Sequence, residues 1–381
     1  MAIKLKERPI FVIGYERSGT TLLMAMLGNH PRISMPEVGW LFPRIYPWRY
    51  TYGDLSLNVN FRTLASEMLF GLNQPLWGMS MNPMTAVDEI IDLAQERSFA
   101  GIYAAMHLRY AKEFGDKPRW GQKTPNNLYF MPQILENFPN AQFVYITRDG
   151  RDASVTSIES AFGAGNIYGA AYTWNAANSF VKPFRKSLPP SVWFDVRYEE
   201  LVREPETVLK KVCEFLGETF SPEMLGFYKT ATGVARGKQR DHAPLGHAVS
   251  DRYVGIYKRQ LSLRDQQIYA AVAGATHKEA GYDLDVEPLE LSEEEKALLW
   301  EWDGRYRAAR LDGPGGHILF ESYRDWLVEQ RQVRKQKGIW SDRDETGEFP
   351  IGHPDEEIIV GNRAWKKWKD HFSIKRQYDK K

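Results

Sequence analysis

Residues 9–27 constrain this chain more than any other stretch. Pro9-Ile-Phe-Val-Ile-Gly14 is an apolar run too short for a helix and reads as a buried strand. Tyr15-Glu-Arg17-Ser18-Gly19-Thr20-Thr21 follows as a glycine-punctuated turn, and Leu22-Leu-Met-Ala-Met-Leu27 carries apolar residues at helical spacing. Strand, glycine turn and helix start make an anion cradle, because backbone N–H groups and the helix dipole both point at the ligand. Gly14-x-x-x-x-Gly19 has the spacing of a nucleotide P-loop. Thr20, however, stands where a triphosphate site carries the lysine that reaches the β- and γ-phosphates. The cation sits inside the loop instead, at Arg17. The cradle therefore suits a phosphate donor with a different second group.

A second strand, Gln142-Phe-Val-Tyr-Ile-Thr147, ends in Arg148-Asp-Gly-Arg151-Asp152-Ala-Ser154-Val-Thr156-Ser157, which opens a helix. An arginine at a strand end, with hydroxyls just inside the next helix, offers a second anion site. The plainer alternative is an Arg148–Asp152 pair capping that helix. Trp120-Gly-Gln-Lys123-Thr124-Pro125 reads as a turn before a helix at residues 129–137, and residues 192–197 read as a further strand running into Tyr198. Residues 86–114 read as one helix, and residues 32–35 as a short strand with Glu37 at its far end. Strands alternating with helices imply an α/β fold, a parallel sheet flanked by helices on both faces, with ligands outside the carboxyl ends of the strands. Residues 43–84, rich in aromatics, Pro and Gly, read as loops and short helices open to substrate.

Two units are expected: residues 1–285 as the α/β domain, and residues 286–381 as a mainly helical C-terminal extension. In the latter, Ser292 and Glu295 form a capping box for a helix at residues 293–310, and a second helix follows near residues 321–335. The extension is expected to wrap over the core or to join a homo-oligomer. A formal charge of +1 gives no support to nucleic-acid binding. The single cysteine, Cys213, excludes an intrachain disulfide and a cysteine-rich zinc site. No apolar stretch approaches a membrane span and no signal-peptide core is visible, so the expected location is the cytoplasm.

The segment FVIGYERSGTTLL resembles the 5′-phosphosulfate loop of sulfotransferases that use 3′-phosphoadenosine 5′-phosphosulfate (PAPS). Arg148 with Thr156 eight residues on is similar to that family's 3′-phosphate motif; serine holds the later place there, and Ser154 and Ser157 flank the threonine here. Arg197-Tyr198-Glu-Glu-Leu201 is similar to the family's Arg-Tyr-Glu-x-Leu segment. Lys123-Thr124-Pro125 resembles a segment of the bacterial and tyrosylprotein-type members. Tyr257-Lys258-Arg259 loosely resembles a late segment that closes over the 3′-phosphate, while the Gly-Asp-Trp-Lys of cytosolic members is absent. The resemblance covers roughly residues 8–285.

The resemblance implies PAPS as co-substrate and no metal. The donor would be held by Arg17, Ser18, Gly19, Thr20 and Thr21, with Arg148, Thr156, Ser154, Tyr198 and Lys258 at its other end. Arg17 and Lys123 would stabilise the leaving group, and Glu37, in HPRISMPEVGW, would take the proton from a hydroxyl or amine of a small-molecule acceptor. His30 and His107 read as structural, whereas His242 and His247 remain alternatives for substrate or phosphate contact. A P-loop small-molecule kinase and a non-catalytic nucleotide-binding protein are the competing functional readings.

Overall fold

The computed structural model describes residues 6–72, 75–160, 163–230, 233, 237, 244–311 and 336. Its strands are β1 (Ile10–Ile13), β2 (Ile33–Ser34), β3 (Arg119–Lys123), β4 (Gln142–Thr147) and β5 (Trp193–Arg197). They form one parallel five-stranded sheet in the order β2-β3-β1-β4-β5. The helices up to residue 216 are α1 (Thr20–Gly28), α2 (Leu41–Arg44), α3 (Asn58–Phe70), α4 (Ala86–Leu93), α5 (Phe99–Glu113), α6 (Met131–Asn137), α7 (Gly150–Glu159), α8 (Ile167–Ser187), α9 (Tyr198–Arg203) and α10 (Pro205–Leu216).

Successive strand residues point to opposite faces, and that alternation splits the core in two. Phe11, Ile13, Phe143 and Tyr145 join Phe42, Phe61, Tyr103 and Trp174, from α2, α3, α5 and α8, in one apolar layer. Ile10, Val12, Val144 and Ile146 join Leu23, Leu27, Leu209 and Val212, from α1 and α10, in the other. A sheet apolar on both sides has to be covered on both sides. Several aromatic residues of the 43–84 stretch lie in this core as well: Tyr46, Tyr52, Phe61 and Trp77 are all buried.

Two elements differ from the sequence expectation. Residues 86–114 form two helices, because Ala94 turns extended and the Ser98 hydroxyl accepts the Gly101 N–H at 3.0 Å, starting α5 afresh. Lys123 lies on a strand rather than in a turn: β3, with sequence RWGQK, pairs with β1 and is buried throughout. Its polar residues are tolerated because distant partners satisfy them. Arg119 donates to the carbonyls of Arg8 and Leu216, each at 2.7 Å, and pairs with Glu218.

Beyond α10, a helix at Leu263–Glu279 packs on α8, and a helix at Glu293–Leu311 also packs on α8. The helix expected at residues 321–335 and the tail after it lie outside the described residues. Among the described residues, no helix is long and apolar enough to cross a membrane.

Candidate active site

Two strand-to-helix turns open onto one cleft. In the first, between β1 and α1, the backbone takes shapes that side chains resist. Gly19 has φ +93°, and a Cβ there would lie 2.5 Å from the Tyr198 ring. Arg17 is itself left-handed at φ 67°. Ser18 N–H donates to Tyr15 O at 3.2 Å, and no side chain among the described residues caps α1. The positive end of α1 therefore faces the cleft, with Gly19, Thr20 and Thr21 in its wall. Ser18 is buried and its hydroxyl has no hydrogen-bond partner among the described residues. A buried hydroxyl left without a partner is costly, so an anion-binding loop is a fitting place for it.

The second turn joins β4 to α7. Arg148 is buried, and its Nη1 donates to Arg17 O at 3.0 Å and to Thr156 Oγ1 at 3.3 Å, while Nη2 donates to Tyr253 O at 2.7 Å. Its guanidinium stands 4.6 Å over the Tyr198 ring, and that ring in turn packs on Gly19. Arg148 thus ties the two turns together. The capping role falls to Asp149, whose carboxylate accepts the Arg151 N–H at 2.9 Å. Asp152 does not pair with Arg148 as a cap. Its carboxylate accepts the N–H groups of Gly255 at 2.7 Å and Tyr257 at 3.0 Å, which pins the segment carrying Tyr253 over the cleft. Burial raises the Asp152 pKa; the bond from Tyr257 and the Arg148 charge oppose that rise.

The cleft encloses about 450 Å³ and is lined in part by Arg17, Thr20, Thr21, Arg148, Thr156 and Tyr198. Not every candidate reaches it. Ser154 is fully buried away from the lining, with its hydroxyl unpartnered among the described residues, and Lys258 is exposed, its Nζ 5.7 Å from the Tyr257 ring. Arg252 and Tyr253 occupy the wall instead. Glu159 and Ser160 also line it; they follow Thr156 by three and four residues, so helical spacing could have found them. Leu245, Ala248 and Val249 line it too and gave no local sequence signal.

Glu37 and Lys123 sit at the same end of the sheet. Lys123 is 3% exposed at the close of β3, in register with Val12. The Glu37 carbonyl accepts from Gln122 Nε2 at 3.0 Å, and the residue is half-buried. The structure thereby fixes the chain after β2 beside the end of β3.

The histidines divide by environment. His30 donates from Nε2 to Thr219 O at 2.8 Å and accepts the Arg32 N–H at Nδ1, so both nitrogens are engaged. Burial pushes His107 down to about 3, and it stacks on Tyr103 at 4.4 Å. His247 is exposed on the cleft wall, while His242 lies outside the described residues. Burial pushes the Cys213 thiol up to about 11. Among the described residues, no cluster of His, Cys, Asp or Glu could hold a metal ion.

Residues 9–222, which contain both turns, match the sequence model of the sulfotransferase family. The chain belongs to that family. Protein-tyrosine sulfotransferase A of Caenorhabditis elegans is 28% identical over 223 residues, covering 57% of this chain and 51% of that protein. Protein-tyrosine sulfotransferase 2 of Gallus gallus is 28% identical over 228 residues, covering 58% of this chain and 54% of its own length. This chain thus spans about half the length of these sulfotransferases, and 27% of a similar Aquifex aeolicus protein. A solved sulfotransferase domain from the curacin biosynthetic pathway is similar at 21% identity and a TM-score of 0.48, over 74% of this chain and 100% of its own. The closing segment with Arg252 and Tyr253, and the helix Glu293–Leu311, lie beyond the matched span.

Proposed function

We propose that this chain is a sulfotransferase that moves the sulfuryl group of PAPS to a hydroxyl or amine of a small-molecule acceptor. The observation that carries this reading is the pair of anion cradles, bridged by Arg148, on one cleft. One cradle suits the 5′-phosphosulfate, and the other a phosphate on the far side of the ribose. Arg148, Thr156 and Tyr198 are assigned to the 3′ end, with Ser18 to Thr21 at the 5′ end.

In the reaction, Glu37 takes the acceptor proton as the acceptor oxygen forms its bond to sulfur. The bond from sulfur to the 5′-phosphate oxygen breaks in line, and Arg17 and Lys123 stabilise the charge that gathers on that oxygen. Little of this is covalent work for the protein. As in phosphoryl transfer, it is mostly positioning and charge stabilisation. The tyrosine sulfotransferases among the relatives make a tyrosyl phenol an acceptor to include in any screen.

Calorimetric titration with adenosine 3′,5′-bisphosphate, alongside ATP and ADP, tests the donor class. Tight binding of the bisphosphate with weak ATP binding supports the reading, whereas preference for ATP would hand the site to a kinase. Glu37→Gln should lower turnover about 100-fold, the lower end of what general-base catalysis contributes, with donor binding kept. Near-normal turnover would shift the base to His247.

A further inference from the structure

Asp152 is a buried carboxylate next to an anion cleft, where like charge alone argues against it. It is 1% exposed, and its carbonyl lies 3.1 Å from Thr156 Oγ1, one helical turn on, yet it is not part of the cleft lining. Both carboxylate oxygens are engaged by the backbone of one strap, residues 253–257. Oδ2 accepts the Gly255 N–H at 2.7 Å and Oδ1 the Tyr257 N–H at 3.0 Å. At the head of the strap the Tyr253 carbonyl accepts from Arg148 Nη2 at 2.7 Å. The strap bends at Gly255, whose φ of +73° favours glycine, with nothing within 4 Å of a Cβ placed there. Ile256 and Tyr257 are buried with Val155, three residues after Asp152, in a small apolar cluster apart from the two main layers. Asp152 thus fastens to α7 the segment whose Arg252 and Tyr253 form part of the cleft wall.

Arg148 is the group that this strap can aim. A guanidinium carries five N–H donors. Nη1 engages Arg17 O and Thr156 Oγ1, and Nη2 engages Tyr253 O. Nε is buried and has no hydrogen-bond partner among the described residues. A buried donor without an acceptor is costly, so the Nε–H and the second Nη2–H are the donors left for an anion. We propose that Asp152 is a positioning residue for the donor's 3′-phosphate: it fixes the strap at Gly255 and Tyr257, and the strap's Tyr253 carbonyl turns Arg148 so that its remaining N–H groups face that phosphate. This rests on the reading of Arg148 as the 3′-phosphate contact. Charge and position predict opposite signs here. Neutralising a carboxylate near a phosphate site strengthens phosphate binding if charge alone counts. If the strap counts, the same change weakens it, because an amide nitrogen cannot accept the second N–H and the strap loosens.

The test titrates full-chain Asp152→Asn with adenosine 3′,5′-bisphosphate and with adenosine 5′-monophosphate. Bisphosphate affinity should fall about tenfold, as for loss of one hydrogen bond to a charged group, with the monophosphate changed less than about threefold. Unchanged or tighter bisphosphate binding overturns the proposal. In an Arg148→Ala background the same substitution should cost the bisphosphate less than about threefold, since the group that the strap aims is gone. A full tenfold loss there would mean that Asp152 acts without Arg148, which overturns the proposal as well. Gly255→Ala strains the strap without changing any charge and should give the same selective loss, so it carries the test should Asp152→Asn fail to fold; wild-type affinity in Gly255→Ala counts against the strap. Amide hydrogen exchange without ligand reads the fastening directly: Gly255 and Tyr257 should exchange faster in Asp152→Asn while residues 15–21 do not, and unchanged exchange at the strap overturns it. Wild-type protein that ignores the bisphosphate would sink the sulfotransferase reading instead, and the exchange would still decide whether Asp152 holds the strap.

Discussion

The two anion cradles stand on adjacent strands, β1 and β4, and are built in opposite ways. The first is contiguous: Gly14 to Thr21 supply backbone, a helix end and hydroxyls within eight residues. The second is assembled. Arg148 and Thr156 come from one turn, Tyr198 from the end of β5, and a carbonyl from Tyr253, 105 residues away from Arg148. A site made of backbone depends on local conformation. A site made of a gathered side chain depends on the fold that gathers it. The two should therefore fail differently, and a pair of ligands reads the difference: on the proposed function, adenosine 3′,5′-bisphosphate would engage both cradles and adenosine 5′-monophosphate only the first.

The largest effect is expected from Arg148→Ala. Charge-assisted hydrogen bonds are worth roughly 1.5–3 kcal/mol each, so bisphosphate affinity should drop about 100-fold or more. Monophosphate affinity should drop far less, erasing the wild-type preference. Equal losses for both ligands would mean that Arg148 serves the loop through its bond to Arg17 O and not the far phosphate.

Gly19→Ala should come next, with the opposite signature. A left-handed alanine costs about 1–2 kcal/mol, and the added Cβ must displace the Tyr198 ring. Both ligands should lose affinity about tenfold, with no change in preference, if the strain falls mainly on the bound loop. A selective loss of the bisphosphate would show that displaced Tyr198 matters more than the cradle itself.

Acid should wear at the support of the second cradle. Trp174 donates to Arg148 O at 3.3 Å and packs on His277, whose Nδ1 meets Tyr269 OH at 3.0 Å. Burial holds His277 down to about 4, against an ordinary value of 6.5. Between those values the unfolded chain binds the proton and the folded chain does not, so stability falls as pH drops from 6.5 toward 4. The thermal midpoint should fall by about 3 °C or more across that window, and His277→Gln should flatten the slope. His107, buried on the β3 side and held near 3, contributes at least as much over the same window, so a slope persists when His277 is replaced.

How much could be read from sequence follows the same division. β1, its loop and α1 are legible because each signal is local: an apolar run, glycines, then helical periodicity. The parallel sheet follows from alternating elements. β3 is not legible, because Arg119, Gln122 and Lys123 interrupt the apolar pattern, and Arg119 finds partners at Arg8 and Leu216 that no window of sequence contains. The loose resemblance of Tyr257-Lys258-Arg259 to a late family segment points to Lys258, but Gly255 and Tyr257 are held by Asp152, and Arg252 and Tyr253 line the cleft. Spacing put Thr156 eight residues after Arg148, but Ser154 and Ser157 flank it, and the sequence left open which of the three hydroxyls makes the contact.

The geometry separates those three, and the smallest predicted effect tests the separation. Thr156 Oγ1 meets Arg148 and lines the cleft; Ser154 is buried off the lining, and Ser157 is taken up by Ala164 and Glu16. Thr156 Oγ1 also lies 3.1 Å from the carbonyls of Asp152 and Ala153, so in the ligand-free state its proton stays within its own helix. Its contribution to an anion is then one bond exchanged for another. Thr156→Val should weaken the bisphosphate about threefold, within the 0.5–1.5 kcal/mol of a single neutral hydrogen bond, with the monophosphate unchanged. A larger loss for Ser154→Ala than for Thr156→Val would mean that the phosphate enters deeper than the cleft wall, and that the second cradle opens on binding while the first stays fixed.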